Sequence, residues 1–292
     1  MDDQPNALGN FLRARRDLIT PERVGIAVSG TRRVPGLRRE EVAMLAGVSA
    51  EYYLRLEQGR DRRPSTQILE SIANALLLDE EARDYLAALA TDRPRRRRSH
   101  SAVKETVPSG ISKLLRTLGQ PAFVEGRYMD VLAANSLALA LSPRLTAGAN
   151  RLRDLFLDPA EQALFSDWEG ATRQFIAGFR QSVGAGINDP RFIELVGELS
   201  LASPRFRALW ARQDVKKLQG GRMRFDHPQV GSLDLNHEKL AIPGTGNMML
   251  VILHPDPQSQ DAEKLSLLAS ASLESPHPGS WAPDHAKREN GS

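Results

Sequence analysis

The chain has 292 residues, of which 41% are hydrophobic and 26% charged, so it is long enough for two domains and has the composition of a globular protein. It contains no run of about eighteen apolar residues, and its acidic start lacks the basic and apolar stretches of a secretory signal, so we expect neither a membrane span nor a leader. It has no cysteine, which excludes disulfides, iron–sulfur clusters and cysteine-based zinc sites and is compatible with a cytoplasmic protein.

The excess positive charge is confined to the first third of the chain. Residues 1–98 contain 18 Arg, no Lys and 15 acidic residues, whereas the remainder contains 21 basic and 21 acidic residues. Arginine makes forked hydrogen bonds to phosphate and guanine, so this distribution favours a polyanionic partner for the N-terminal part. A solvated basic surface with no partner is the alternative, and charge alone leaves both open.

The segment 7–91 predicts five amphipathic helices, because its apolar residues recur with i, i+3 and i+4 spacing. This spacing relates Leu8, Phe11 and Leu12; Val42, Leu45 and Ala46; Tyr53 and Leu56; Ile68, Leu69, Ile72, Ala73 and Leu76; and Tyr85, Leu86 and Leu89. Ser49 and Ser65 are predicted N-caps, and Gly47 and Gly59 stand where a helix should end.

Residues 37–59 have the pattern of two helices joined by a tight turn. Gly47 permits a left-handed backbone, Val48 fills the angle between the helices, and Ser49 caps the second helix. The predicted shared core consists of Val42, Leu45, Tyr53 and Leu56, with the small Ala43 where the helices cross. This geometry presents a second helix to the major groove of DNA. Short glycine turns also join helices in purely structural proteins, but the combination of small residue, glycine, apolar residue and N-cap is more specific than a glycine turn alone.

The composition changes after this segment. Residues 93–101 contain four successive arginines and no apolar residue, which predicts an Arg-rich linker over 93–109 between a domain at 1–92 and a second at 110–273. Such a linker either lies near DNA phosphates or is only a solvated tether. Residues 274–292 are rich in Pro, Ser and Gly, and we expect a disordered tail.

The segment 110–273 predicts an α+β domain with an antiparallel sheet. Two short strands flank Gly126, a helix follows from about Asn135, and residues 152–213 are helical, with starts at Asp158-Pro159 and Ser203-Pro204. From Arg222 the apolar period becomes two, which predicts three strands and then a helix near 262–271. Strands separated by a block of helices favour an antiparallel sheet with the helices on one side.

Short motifs mark both parts of the chain. The N-terminal part contains VPGLRREEVA at 34–43, GVS at 47–49, YYLRLEQGR at 52–60 and PS at 64–65. The C-terminal part contains DVLA at 130–133, DW at 167–168, LVGELS at 195–200, LWAR at 209–212 and HPQVG at 227–231. In these motifs the sequence resembles the Xre-type helix-turn-helix regulators, and within them the subfamily with an MmyB-like ligand-binding domain. Ala134 replaces a tryptophan that is usual in the subfamily, and the loss of an indole would enlarge or reshape a pocket.

The resemblance implies a lambda-repressor-like, all-α DNA-binding domain followed by a PAS-like domain that encloses a cavity. It implies a double-stranded DNA operator, a fatty-acid-like or other apolar small-molecule effector, and a second copy of the chain in a homodimer. It implies no cofactor, no metal, no membrane partner and no catalytic residue.

The residues expected to read bases lie at the start of the second helix of the helix-turn-helix and are Ser49, Ala50, Glu51, Tyr52 and Arg55. Arg55 suits a two-pronged contact with guanine, whereas Glu51 either accepts a hydrogen bond from cytosine or pairs with Arg55 at i+4. The predicted phosphate contacts are Arg32, Arg33, Arg38, Arg39, Arg60 and Arg62, with Arg63 beside them. Tyr53 is expected in the core.

The candidate lining of the ligand pocket is aromatic: Trp168, Phe175, Phe179, Phe206, Trp210 and Phe225. Buried aromatic residues are more often ordinary core, and Arg212 and Arg224 are candidates only for anchoring a ligand carboxylate. An enzyme is the competing class, but no HExxH, GxSxG or P-loop pattern occurs. A dimerisation module that senses nothing is the third class, and a tightly packed core without a pocket would favour it.

Overall fold

The computed structural model describes residues 6–27, 32, 34–61, 63–91, 105–183, 189–216, 220–245 and 247–274. Arg33, Arg62, the Arg-rich stretch at 93–101 and the predicted tail beyond residue 274 lie outside the described residues. We call the described residues up to 91 the N-terminal half and those from 105 onward the C-terminal half. Each half has one large hydrophobic cluster, and the C-terminal half has a smaller one as well. None of the described helices is long and apolar enough to cross a membrane.

The N-terminal half is helical. Its elements are α1 (Ala7–Asp17), a 3₁₀ helix (Pro21–Val24), α2 (Arg39–Ala46), α3 (Ala50–Glu57), α4 (Thr66–Ala75) and α5 (Glu80–Thr91). The predicted N-caps are confirmed, because the hydroxyl of Ser49 accepts from the N–H of Tyr52 at 3.1 Å and that of Ser65 accepts from Ile68 at 3.3 Å. Gly47 adopts a left-handed φ of 66°, as the turn between α2 and α3 requires.

The core of this half corrects one prediction. Val42, Tyr53 and Leu56 are fully buried as expected, but Leu45 is 38% exposed. Val42, Ala43 and Ala46 form the inward face of the short helix α2, so Leu45 falls on its flank and Ala46, 7% exposed, fills the buried position.

The C-terminal half combines a sheet with helices. Its elements are α6 (Ser109–Thr117), β1 (Ala122–Glu125), β2 (Val131–Ala134), α7 (Ser136–Leu141), α8 (Arg151–Leu157), α9 (Pro159–Leu164), α10 (Trp168–Val183), α11 (Pro190–Ala202), α12 (Pro204–Ala211), β3 (Gly221–His227), β4 (Gly231–Ala241), β5 (Met249–His254) and α13 (Gln260–Glu274). The strands pair in the order β2-β1-β5-β4-β3, and every pair is antiparallel. The predicted antiparallel sheet is therefore confirmed.

Side-chain caps start several of these helices. The amide oxygen of Asn135 accepts from the N–H of Ala138 at 2.9 Å and starts α7, and the hydroxyl of Ser203 accepts from Phe206 at 3.1 Å and starts α12. Asp158 caps α9, with Pro159 in the first turn. The predicted helix starts are confirmed, since each has a side-chain acceptor at its N-cap. The starts of α9 and α12 also have a proline at the first position, where the missing N–H has no helical partner.

Helices cover both faces of the sheet. Helices α7 to α13 all contribute to the large cluster that packs on one face. On the other face, Leu115 of α6 packs with Val124 of β1 and Leu250 of β5. The expectation that all helices lie on one side is wrong for α6, because these central strands carry apolar residues on both faces.

Candidate functional site

Helix α3 presents a polar outer face while its inner face is buried. Ser49, Ala50 and Arg55 are exposed on it, and Glu51 is 82% exposed. The guanidinium of Arg55 lies 5.7 Å from the ring centroid of Tyr52. Its Nη1 lies 3.8 Å from Oε1 of Glu51, too far for a hydrogen bond, so both side chains can turn towards a ligand.

The arginines around α3 divide into free and engaged groups. Arg38 and Arg60 are exposed, and Arg39 is exposed although its Nε donates to Glu57 at 2.7 Å. Arg32 belongs to the engaged group, because its two Nη atoms donate to the carboxylate of Glu41 at 2.7 and 2.8 Å. Arg32 therefore holds the loop before α2 against that helix.

A buried carboxylate fixes the helix-turn-helix. Glu57 is fully buried and accepts from Nε of Arg16 on α1 and from Nε of Arg39 on α2, each at 2.7 Å. Arg16 also donates to the carbonyl of Leu37 at 2.7 Å. Burial and the carboxylate of Glu57 raise the pKa of Tyr53. One side chain of α3 thus ties together the three helices that set the angle of its outer face.

Acid is expected to weaken the packing of the loop before α2. The Arg32 guanidinium lowers the pKa of Glu41 from 4.5 to about 2. A carboxylate with a lowered pKa stabilises the folded chain above its unfolded pKa, and this contribution is lost as the pH falls from 4.5 to about 2. We expect Glu41→Gln to flatten the fall in the urea midpoint over that range, measured by circular dichroism. Glu40→Gln, at an exposed position, is the control. If the urea midpoint fell equally in Glu41→Gln and in Glu40→Gln over that pH range, the prediction would be contradicted.

The second feature is a cavity between the sheet and helices α8 and α10. It encloses about 20 Å³, which is room for roughly one water molecule. Its lining residues are Arg151, Gln174, Phe175, Met223, His237, Lys239, Val251 and Leu253. Its walls are mainly apolar, and its polar groups come from β4, α8 and α10.

Buried charges lie at this cavity. Lys239 donates to one oxygen of Glu125, and Nη1 of Arg151 donates to the other at 3.0 Å. Burial lowers the pKa of Lys239, whereas for Glu125 the attraction of the two cations outweighs the effect of burial and lowers its pKa. Nδ1 of His237 is buried without a hydrogen-bond partner. Two cations and one carboxylate leave a net positive charge beside apolar walls.

The predicted pocket residues are largely core. Phe175 lines the cavity, but Phe179, Phe206 and Trp210 pack against one another, with ring centroids 5.8 to 5.9 Å apart for the pairs that involve Trp210. Trp168 donates from its indole to the carbonyl of Leu155 at 2.9 Å, and Phe225 packs on Phe165. The proposed anchors lie elsewhere, since Arg212 pairs with Asp214 and Arg224 with Asp234.

The charged residues of the cavity could not be predicted from the sequence, because only the fold brings them together. Arg151 opens α8 and Lys239 lies late in β4, so no spacing in the sequence relates them. The available signal was the period of two, which places Lys239 on the same face of its strand as the apolar Leu233 and Leu235. Within the part of the chain that the structure describes, no group of His, Asp and Glu side chains is arranged to hold a metal ion.

Comparison with known proteins gives a match for each half of the chain. Residues 7–86 match the model of a helix-turn-helix domain. Residues 107–268, more than half of the chain, match the model of the MmyB-like transcription regulator ligand binding domain. A search of the curated proteins finds no match.

Proposed function

The chain belongs to the family of MmyB-like transcription regulator ligand binding domains and carries a helix-turn-helix domain ahead of it, and from this we propose that it binds an operator in double-stranded DNA sequence-specifically and responds to a small apolar effector. The single observation that carries the DNA-binding part is the exposed polar face of α3, fixed from behind by Glu57. We place the protein in the cytoplasm and expect it to have no catalytic activity.

We dock α3 in the major groove. Ser49, Ala50, Glu51 and Tyr52 then lie at its entry, and Arg55, one turn on, reaches the edge of a guanine. The exposed arginines flanking α3 contact the phosphates on both sides; they are Arg38, Arg39 and Arg60. Arg32 is left out of this set because its guanidinium is paired with Glu41.

Loss of Arg55 should reduce discrimination between sequences more than it reduces affinity. Arg55→Ala removes a two-pronged base contact. The ratio between the affinity for a duplex that the wild-type chain has selected from a random pool and the affinity for random DNA should therefore fall by about tenfold or more. Arg38→Ala is the matched control, since loss of a phosphate contact weakens both duplexes alike. Fluorescence anisotropy with both duplexes at one salt concentration measures the ratio. An unchanged ratio in Arg55→Ala would remove the proposed guanine contact.

The dimer and the division into domains complete the proposal. We assign residues 1–92 to DNA binding and 110–273 to a PAS-like sensor, joined by 93–109. A homodimer would place two copies of α3 in successive major grooves, about one turn of DNA apart. Sedimentation of the full chain at micromolar concentration tests the dimer, and a single monomeric species would exclude it.

We propose that the cavity beside Arg151 and Lys239 receives the effector. A cation pair next to Phe175, Val251 and Leu253 suits an amphiphile with an anionic head, such as a fatty acid. A cavity of about 20 Å³ cannot contain an acyl chain, so α8 or α10 must move to admit one.

Native mass spectrometry tests the effector proposal. We expect an extra mass on the protein as purified, released by denaturation and identified as a carboxylate with an apolar tail. Loading the apoprotein with a fatty acid of medium chain length should restore that mass, and Lys239→Met should reduce retention. A clean dimer that also fails to take up the fatty acid would favour a dimerisation module that senses nothing.

A further inference from the structure

The segment after α12 belongs by sequence to the C-terminal half but packs into the N-terminal half. Val215 is 7% exposed and is part of the N-terminal hydrophobic cluster. Beside it, Oδ1 of Asp214 accepts from Nη1 of Arg15 on α1 at 2.8 Å. We call Gln213, Asp214 and Val215 the clasp. It joins the two halves through a buried apolar side chain and a partly buried ion pair.

The clasp is also tied to the C-terminal core. Arg180 of α10 is buried, and its two Nη atoms donate to the side chain of Gln213 and to the carbonyl of Trp210, each at 2.5 Å. Its guanidinium stacks 3.7 Å from the ring centroid of Trp210. It also interacts with the hydroxyl of Tyr85 on α5, so one side chain contacts both halves of the chain.

Two features show that the geometry of the clasp depends on its surroundings. Gln213 has a φ of 56°, in the left-handed region that a side chain disfavours, so its backbone is held there by its surroundings. The guanidinium of Arg180 is buried against neutral hydrogen-bond acceptors, and burial lowers its pKa to about 10. A buried cation whose hydrogen bonds go to neutral groups depends on the geometry of those groups.

A continuous path runs from the cavity to the clasp. Phe175 lines the cavity, and Phe179 and Arg180 lie one turn further along the same helix α10. Phe179 packs on Trp210 at 5.9 Å, and Trp210 supports Arg180. A shift of α10 at the cavity would therefore move the groups that hold Gln213 in place.

The clasp contacts the side of the N-terminal half opposite the outer face of α3, the proposed DNA-binding face. Arg15 and Tyr85 belong to α1 and α5, and α1 packs on the buried side of α3. The outer face of α3 stays exposed with the clasp in place. The clasp thus sets the orientation of α3 without covering it.

We propose that the clasp transmits the state of the cavity to the DNA-binding half, so that displacement of α10 loosens the seat of Val215 and frees the orientation of α3. This rests on the proposed function in taking the N-terminal half to be the DNA-binding half. The coupling itself requires neither DNA nor an effector, and it can be measured in the free chain.

The test perturbs the cavity and observes the other half. Phe175→Leu is expected to raise amide hydrogen exchange in α1 and α5 by about threefold, because a small core truncation loosens α10. The double variant Asp214→Ala with Val215→Ala removes the clasp contacts. Adding Phe175→Leu to this double variant should not raise exchange in α1 and α5 any further. Leu201→Ala, at a position 86% exposed on α11, is the control and should have no effect.

Tryptophan fluorescence of Trp168 and Trp210 verifies that the C-terminal half stays folded, and Gln174→Ala replaces Phe175→Leu if it does not. The proposal would be overturned if Phe175→Leu left amide exchange in α1 and α5 unchanged in a chain with the wild-type clasp. It would also be overturned if Phe175→Leu raised that exchange equally with and without the clasp residues. Binding of each variant to random duplex DNA is measured separately, so a failure of DNA binding is distinguishable from a failure of coupling.

Discussion

Glu57→Ala is expected to destabilise the N-terminal half by about 3–5 kcal/mol, the range found when one partner of a buried ion pair is removed. Glu57 is fully buried, and its carboxylate is the acceptor for Nε of both Arg16 and Arg39. Without it, the buried guanidinium of Arg16 keeps only the carbonyl of Leu37 and the exposed Asp17. The angle between α1, α2 and α3 loses its polar fixation at the same time.

Urea unfolding separates the two halves of the chain. The three tryptophans all lie at or beyond residue 168, so tryptophan fluorescence reports the C-terminal half, whereas circular dichroism reports helices in both. We expect Glu57→Ala to shift the dichroism transition well ahead of the fluorescence transition. Glu51→Ala on the exposed face of the same helix is the control and should shift neither. A dichroism midpoint within error of wild type for Glu57→Ala would show that the three-helix contact is dispensable.

The second large effect is expected at the cavity. Glu125→Ala leaves Lys239 and Arg151 side by side in the interior with no counter-charge, which should also cost about 3–5 kcal/mol, here in the fluorescence transition of the C-terminal half. The double variant Glu125→Met with Lys239→Met should recover part of this loss, because it removes one of the two unpaired cations and leaves only Arg151 without a counter-charge.

Glu263→Ala, an exposed position on α13, is the matched control for Glu125→Ala. The diagnostic comparison is between the single and double variants in fluorescence-detected urea unfolding. If the double variant were less stable than Glu125→Ala, the unpaired lysine would not be the source of the loss.

Features that depend on local chemistry could be predicted from the sequence. Ser49, Ser65 and Ser203 cap helices because a hydroxyl next to an amphipathic stretch satisfies free N–H groups whatever surrounds the helix. The strands after Arg222 follow from the period of two. Gly47 follows from the turn that two short helices need.

Features that depend on distant partners could not be predicted. Glutamate is usually exposed, so the sequence gives no sign that Glu57 and Glu125 are buried. Their burial depends on ion pairs with arginines and a lysine from other elements of the fold. Helix α6 shows apolar spacing at Ile111, Leu114 and Leu115, but nothing in that spacing says which face of the sheet it covers.

The clasp shows the same limit. Arg15 stands on the apolar face of α1 next to Leu8 and Leu12, which signals a partner without naming it. That partner, Asp214, follows a helix in the other half of the chain. Similarly, six aromatic residues suggested a pocket, yet their shared feature is packing, and the cavity is defined by Phe175 with charged residues that come from elsewhere.

Selection of bound duplexes from a random pool tests most directly whether α3 reads a DNA sequence. The wild-type chain should enrich a motif of two half-sites whose centres lie about one helical turn apart, with a guanine in each half-site that Arg55→Ala no longer requires. Repeated rounds that enrich no motif, with binding that salt abolishes equally for every duplex, would contradict sequence reading by α3.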